Sequence, residues 1–99
     1  MTLLAHSPIT PGEILAEEFL VPLGISKYRL AKATGLTPTH IGQIISGQRR
    51  ITPDTGLRIA RALGVNDRYW IDLQTNFDTA LARISAAEQL EAIPILVGV

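Results

Sequence analysis

Apolar residues recur every three or four positions along most of the chain, which is the spacing of an amphipathic α-helix. The longest stripe comprises Trp70, Leu73, Phe77, Leu81 and Ile84. No internal strand pattern or repeat accompanies this period, so the sequence predicts an all-α fold. The five predicted helices span roughly 11–21, 27–34, 38–46, 53–63 and 67–91.

Capping residues stand at the predicted helix ends. Three Thr-Pro pairs, which begin at Thr10, Thr37 and Thr52, place an N-cap hydroxyl beside a proline suited to the first helical position. Glu13 follows Thr10 by three residues and predicts a capping box. The other predicted N-caps are Ser26 and Asn66, and the predicted stops are Pro22, Gly24, Gly35, Gly47 and Gly64.

Residues 30–44 have the spacing of a helix-turn-helix. Ala31 is small where the second helix must cross, and Gly35 ends the first helix where a positive φ is easily adopted. Ile41 and Ile44 anchor the second helix to the core. This orientation leaves short hydrogen-bonding side chains facing outward, namely Thr37, Thr39, His40, Gln43 and Ser46.

The net charge is zero, but the charges are segregated along the chain. Residues 1–22 carry three acids and no base, residues 23–53 carry five bases and no acid, and residues 54–99 carry six acids and four arginines. A charge run is usually only a solvated surface. Here the acid-free block is centred on the helix-turn-helix pattern, which favours a surface that binds phosphates.

Two kinds of DNA contact are predicted within this block. The amide of Gln43 lies on the exposed helix face, and an amide can pair bidentately with adenine. Arg49 and Arg50 follow the helix in a loop that starts with a glycine, which suits phosphates better than base edges. The alternative is a plain helical scaffold followed by a solvated charged turn.

Other function classes lack the residues they require. The chain has no cysteine, which excludes disulfides, thiol nucleophiles and thiolate metal sites. His6 and His40 lie in separate segments, so we predict no catalytic pair, no metal site and no cofactor. Arg58 and Arg61 are interpreted as surface ion-pair partners. Without such residues, we expect that the protein is not an enzyme. The chain also lacks a signal-peptide pattern and an apolar run near the ~20 residues of a membrane span, so we expect a cytoplasmic protein.

The segment "PGEILAEEFLVPLGISKYRLAKATGLTPTHIGQIISGQRRITPDTGLRIARALGVNDRYWIDLQTNFD", residues 11–78, resembles the HigA-type antitoxins. These belong to the Cro/repressor-like (XRE) helix-turn-helix group. The resemblance rests on the P-G-E start, the S-x-x-x-L-A helix, the I-x-x-I-x-x-G-x-R loop and the following I-T-x-D-T helix. It implies a five-helix, lambda-repressor-like DNA-binding dimer that represses its own operon from a palindromic operator. It also implies a partner, a HigB-like toxin that cleaves mRNA.

The resemblance assigns DNA-binding roles to particular residues. Lys27 and the helix that starts at Pro38 fall on the family's DNA face. The groove-facing positions correspond to Thr37, Thr39, His40 and Gln43, and the turn that contacts the DNA backbone corresponds to Ser46, Gln48, Arg49 and Arg50.

Two further surfaces are predicted to bind proteins. A ribonuclease handles an anionic chain and is expected to be basic, so the acidic residues Glu13, Glu17 and Glu18 are the toxin-facing candidates. A highly charged toxin-wrapping tail, which many antitoxins carry, is not visible in the sequence.

Two alternative functions of the protein stay open. They are a stand-alone XRE-type regulator without a toxin and a protein-interaction module that does not bind DNA.

The C-terminal part of the chain is expected to form the dimer. We predict one domain, with a core at 10–78 and a C-terminal extension at 79–99. A small domain leaves more of its apolar residues uncovered, and 46% of this chain is hydrophobic. Residues 93–97, around Pro94, are expected to form either a short strand or an extended tail. The predicted dimer contacts are Phe77, Leu81, Ile84, Ile93 and Ile95.

Overall fold

The computed structural model describes residues 8–98, so His6 lies outside the described residues. Within this part of the chain there are six helices and no strand, which confirms the all-α prediction. Residues 93–98 follow the last helix as an exposed tail without regular secondary structure. In chain order the helices are α1 at 11–23, α2 (Lys27–Thr34), α3 (Pro38–Ile45), α4 (Pro53–Leu63), α5 (Tyr69–Ser85) and α6 (Ala87–Glu91).

Helices α1 to α4 begin at the predicted N-cap residues. The side-chain oxygens of Thr10, Ser26, Thr37 and Thr52 each accept a hydrogen bond from the backbone N–H three residues later. Glu13 completes the capping box by accepting a hydrogen bond from the Thr10 N–H at 3.0 Å. These starts were predictable because neighbouring residues satisfy the free N–H groups of each helix.

Helix α1 continues past Pro22, where the sequence predicted a stop. Its middle part, Leu15–Leu20, is π-helical, and the Val21 N–H donates to the Ala16 carbonyl five residues back. In a regular α-helix the ring of Pro22 would crowd the carbonyl four residues earlier, and the wider π turn relieves this crowding. The helix ends at Leu23 and is followed by Gly24 at φ 66°.

The predicted helix at 67–91 is wrong at its start and in its continuity. Asn66 accepts a hydrogen bond from the Arg68 N–H at 2.8 Å, and this local turn delays the helix until Tyr69. The helix is interrupted at Ala86, directly after Ser85 donates to the Ala82 carbonyl at 3.4 Å. Such side-chain bonds bend helices, and α6 buries no residue that could hold it in line with α5.

The core lies where helices α1 to α5 meet. Its fully buried side chains include Leu15, Ile41, Ile59 and Trp70. The Trp70 ring packs edge-on against Phe19, with ring centroids 5.2 Å apart. This packing holds α5 against α1 and leaves one face of α3 free.

Candidate nucleic-acid interface

Helices α2 and α3 form the predicted helix-turn-helix. Gly35 ends α2 at φ 80°, and Thr37 caps α3 two residues later. Ala31 is buried where the helices cross, and Ile41 and Ile44 are buried in the core. The spacing in the sequence therefore predicted both the turn and the buried face of α3.

A bond from α4 supports the turn between these helices. The Arg58 Nη1 donates to the Thr34 carbonyl at 2.9 Å, and its Nε donates to the Asp54 carboxylate at 3.0 Å. The last carbonyls of a helix lack helical partners and attract cations. The ion-pair prediction for Arg58 is confirmed, as is that for Arg61, which pairs with Asp67. The bond to the turn was missed, since it depends on how α4 packs.

The start of α1 packs directly on the end of α3. A Cβ built on Gly12 would overlap the Ile44 carbonyl oxygen and lie 2.9 Å from the Ile45 Cα. Only glycine permits this approach, which fixes the end of α3 against α1. The sequence carried a signal for this contact, because a glycine at the second position of a capped helix is costly without a packing reason.

Gly42 serves a different purpose in the middle of α3. A Cβ there would meet only the Lys27 Nζ, at an ordinary contact distance of 3.7 Å. Close packing therefore does not require this glycine, which instead leaves the outer surface of α3 without a side chain at this position. Lys27 lies at the start of α2 and extends its ammonium group over this surface.

Most of the predicted DNA-binding residues lie on one surface around α3. His40 and Gln43 are half-buried along the helix, and the loop residues 46–50 after it are exposed. The hydroxyl oxygen of Thr37 accepts the capping bond, which leaves its O–H free to donate. The exposed members of the set are Lys27, Thr37, Thr39, Ser46, Gln48, Arg49 and Arg50.

The environment of His40 favours its neutral form. Burial lowers the pKa of His40, and the positive charge of Arg49 lowers it further. Both causes act against the imidazolium form. At neutral pH the ring is therefore a neutral donor and acceptor on this surface.

The loop after α3 is anchored to Gln43. The Gln43 carbonyl accepts hydrogen bonds from the Ser46 hydroxyl at 3.1 Å, the Gln48 N–H at 2.8 Å and the Arg49 N–H at 3.2 Å. The side chain is engaged as well, since the Arg49 Nε donates to the Gln43 Oε1 at 2.9 Å. The sequence suggested separate roles for the helix residue and the loop residue, whereas the structure joins them.

Arg50 forms an ion pair with α5. Its Nη1 lies 2.7 Å from the Asp78 carboxylate, whose other oxygen accepts a hydrogen bond from the Gln74 amide at 3.0 Å. The Gln74 Oε1 in turn accepts from the buried Ile51 N–H at 2.9 Å. Asp78 and Gln74 were not predicted as site residues, and only their four-residue spacing on one helix hinted at the contact.

The acidic residues predicted to face a toxin are not equivalent. The Glu13 carboxylate is occupied by the capping box. Glu17 and Glu18 are exposed on the π-helical part of α1. Two exposed apolar residues, Val21 and Leu23, follow them at the end of the helix.

The predicted dimer residues lie on α5 and the tail. Phe77 is half-buried, whereas Leu81, Ile84, Ile93 and Ile95 are exposed in the single chain. Phe77 and Leu81 also line a groove of about 260 Å³ beside the loop at 47–50. The apolar stripe of α5 therefore extends beyond the core that this chain can cover.

The described residues also limit other kinds of site. None of the helices between residues 8 and 98 is long and apolar enough to cross a membrane. In the same range, three or more His, Asp or Glu side chains do not come together in a group that could hold a metal ion.

Comparison with known proteins identifies the family. A helix-turn-helix family model matches residues 17–70. Virulence-associated protein I of Dichelobacter nodosus is 46% identical over 74 residues, which cover 75% of this chain and 68% of that protein. Antitoxin HigA-1 of Vibrio cholerae serotype O1 is 34% identical over 71 residues, which cover 72% and 67% respectively.

The fold is also similar to that of a DNA-bound antitoxin. The structure of the Pseudomonas aeruginosa antitoxin HigA with the higBA promoter superposes with a TM-score of 0.83 at 33% identity, covering 91% of this chain and 99% of that one. Together with the match over residues 17–70, these similarities show that the chain belongs to the HigA antitoxin family of helix-turn-helix proteins.

Proposed function

We propose that this protein is a sequence-specific DNA-binding antitoxin, which represses its own operon as a homodimer and neutralises a HigB-type mRNA-cleaving toxin. One observation carries the proposal. The polar face of α3, with basic residues at its edge, lies in a fold that superposes on an antitoxin bound to its promoter. This activity belongs in the cytoplasm, where the operon and its mRNA are found.

The proposed DNA contacts divide into two groups. Residues on α3 enter the major groove and contact base edges, as recognition helices do. The start of α2 and the loop after α3 contact the phosphate backbone and fix the register. The groove residues are Thr37, Thr39, His40 and Gln43, and the backbone residues are Lys27, Ser46 and Gln48. Arg49 and Arg50, which the resemblance also assigned to the backbone, are bound to Gln43 and Asp78 in the free protein.

A titration with two DNA duplexes tests sequence-specific binding. The wild-type protein should bind DNA from upstream of its own gene more tightly than a shuffled duplex, and both affinities should fall with salt. Gln43→Ala should cost about 1–3 kcal/mol on the upstream DNA and much less on the shuffled DNA. Gln89→Ala, which removes an exposed amide from α6, is the matched control and should change neither. Equal binding of both duplexes by the wild-type protein would reject the proposal.

The toxin is proposed to bind the exposed side of α1. Glu17 and Glu18 offer negative charge to a basic ribonuclease, and they lie outside the acid-free DNA-binding block. The test is co-expression with the neighbouring gene, followed by co-purification and growth rescue. Reversing both residues to Lys should weaken capture of the toxin. The same reversal at Glu88 and Glu91 on α6 is the charge-matched control.

Dimerisation is proposed to use α5 and the tail. The exposed apolar residues of α5 continue the stripe that buries Trp70 in the core, and a second copy would cover them. A two-fold dimer would place its recognition helices about 34 Å apart, which matches half-sites separated by one turn of DNA. Footprinting of the upstream duplex should then show two protected half-sites, with their centres one turn of DNA apart.

A further inference from the structure

The side chains of Gln43 and Arg49 form one hydrogen-bonded unit on the exposed face of α3. The Arg49 Nε donates to the Gln43 Oε1 at 2.9 Å. A guanidinium group has no acceptor, so it fixes which end of the amide faces it. The amide oxygen must face the loop, and the NH₂ group is turned away from Arg49.

The backbone of the loop keeps this pair together. The Arg49 N–H and the Gln48 N–H both donate to the Gln43 carbonyl, at 3.2 and 2.8 Å. The Arg49 guanidinium is therefore held close to the Gln43 side chain rather than free to follow a phosphate. Arg50 is directed elsewhere by Asp78, at 2.7 Å. The two neighbouring arginines thus have different surroundings.

This arrangement changes which base the pair can recognise. A bidentate amide–adenine contact uses the amide oxygen to accept from the adenine N6 amino group. In this protein that oxygen already accepts from the Arg49 Nε, and the guanidinium beside it adds further N–H donors and no acceptor. The pair therefore offers mainly donors, from the amide NH₂ and from the guanidinium. Guanine presents two acceptors in the major groove, O6 and N7, and fits such a pair.

We infer that Arg49 is a specificity-determining residue, which orients the Gln43 amide so that the two side chains together select guanine rather than adenine. The inference rests on the proposed DNA-binding function and deepens it. It makes Arg49 part of base recognition, whereas a loop arginine that only binds phosphate would carry no sequence information.

Selection from a pool of random-sequence duplexes tests the inference, because the bound sequences themselves reveal the preferred site. Titration of Gln43→Ala on single-base variants of that site then locates the base pair that Gln43 recognises. We expect guanine at that base pair. Arg49→Ala should reduce discrimination at the same base pair by roughly five- to 150-fold, the range of one good bidentate contact.

Two further variants separate recognition from charge. Arg49→Lys retains the charge and lacks the planar fork, so it should lose discrimination while keeping the salt dependence of the wild type. The double variant with both residues changed to Ala should discriminate no worse than either single variant, because the two side chains act as one unit. Arg83→Ala controls for the loss of a charge, and melting curves establish that each variant is folded.

Several results would overturn the inference. Adenine at the Gln43 base pair would overturn the assignment of guanine, because the amide oxygen would then accept from the adenine amino group. Equal weakening of all four base variants by Arg49→Ala, with the salt slope reduced by about one, would assign Arg49 to a phosphate. A wild-type protein that enriches no sequence would reject the proposed function itself, an outcome distinct from both of these.

Discussion

Replacing Gly12 with Ala should destabilise the protein because α1 starts in direct contact with the backbone of α3. The added Cβ would overlap the Ile44 carbonyl oxygen and lie 2.7 Å from its carbonyl carbon. These are backbone atoms, so rotation of a side chain cannot relieve the overlap. The Ile44 carbonyl also accepts from the Gly47 N–H at 3.1 Å, and moving it disturbs the turn that starts the DNA-facing loop.

The expected cost of Gly12→Ala lies at the upper end of the overpacking range of about 1–3 kcal/mol. For a domain of this size, a loss of about 3 kcal/mol lowers Tm by roughly 12–24 °C. Gly42→Ala is the matched control, since its Cβ would make one ordinary contact, at 3.7 Å. In that position the better helix propensity of Ala should stabilise the protein by about 1 kcal/mol.

Thermal melts of both variants, followed by circular dichroism at equal protein concentration, measure this difference. Equal concentration is required because a dimer's Tm depends on it. The two glycine-to-alanine changes should move Tm in opposite directions. If Gly12→Ala melts within a few degrees of the wild type, α1 moves without cost and the close approach does not explain the glycine.

Three further outcomes follow from other contacts. Asp78→Asn should release Arg50 to bind a DNA phosphate. The logarithm of the binding constant for shuffled DNA should then fall more steeply with the logarithm of the salt concentration, by about one unit of slope. An unchanged slope would argue that Arg50 stays in place. The pKa of His40 is lowered from 6.5 by burial and by Arg49, so the unfolded chain takes up this proton first as the pH falls. The wild-type Tm should therefore drop more than that of His40→Gln between about pH 7.5 and pH 5.5, and parallel curves would contradict this. Leu81→Asp combined with Ile84→Asp should give a monomer in sedimentation at micromolar concentration, and a persistent dimer would exclude this face of α5.

Local sequence determined the parts of this fold that were predicted well. Thr10, Thr37 and Thr52 satisfy free N–H groups within three residues of themselves, so the helix starts do not depend on the rest of the chain. The helix-turn-helix was also predictable from local sequence, through the spacing of Ala31, Gly35 and the isoleucines of α3. The interruption at Ala86 was missed because the apolar period continues through it and only the lack of burial beyond Ser85 permits the bend.

The partners of the candidate site depend on packing between distant segments. Arg49 and Arg50 are adjacent and chemically identical, and the sequence could only assign them the same role. The structure gives one of them Gln43, from the preceding helix, and the other Asp78, from α5. Which arginine turns which way is decided by where α5 lies, and local patterns carry no information about that.

The hydrogen-bonded chain from Arg50 to Ile51 limits how this loop can be transplanted. The Ile51 N–H is buried and has the Gln74 Oε1 of α5 as its acceptor. A chimera that receives a new recognition helix and loop, but has an apolar residue at position 74, would leave this N–H without an acceptor at a cost of about 1–3 kcal/mol. An exchange of DNA specificity between relatives therefore has to carry residues 74 and 78 together with the loop, although neither is expected to touch DNA.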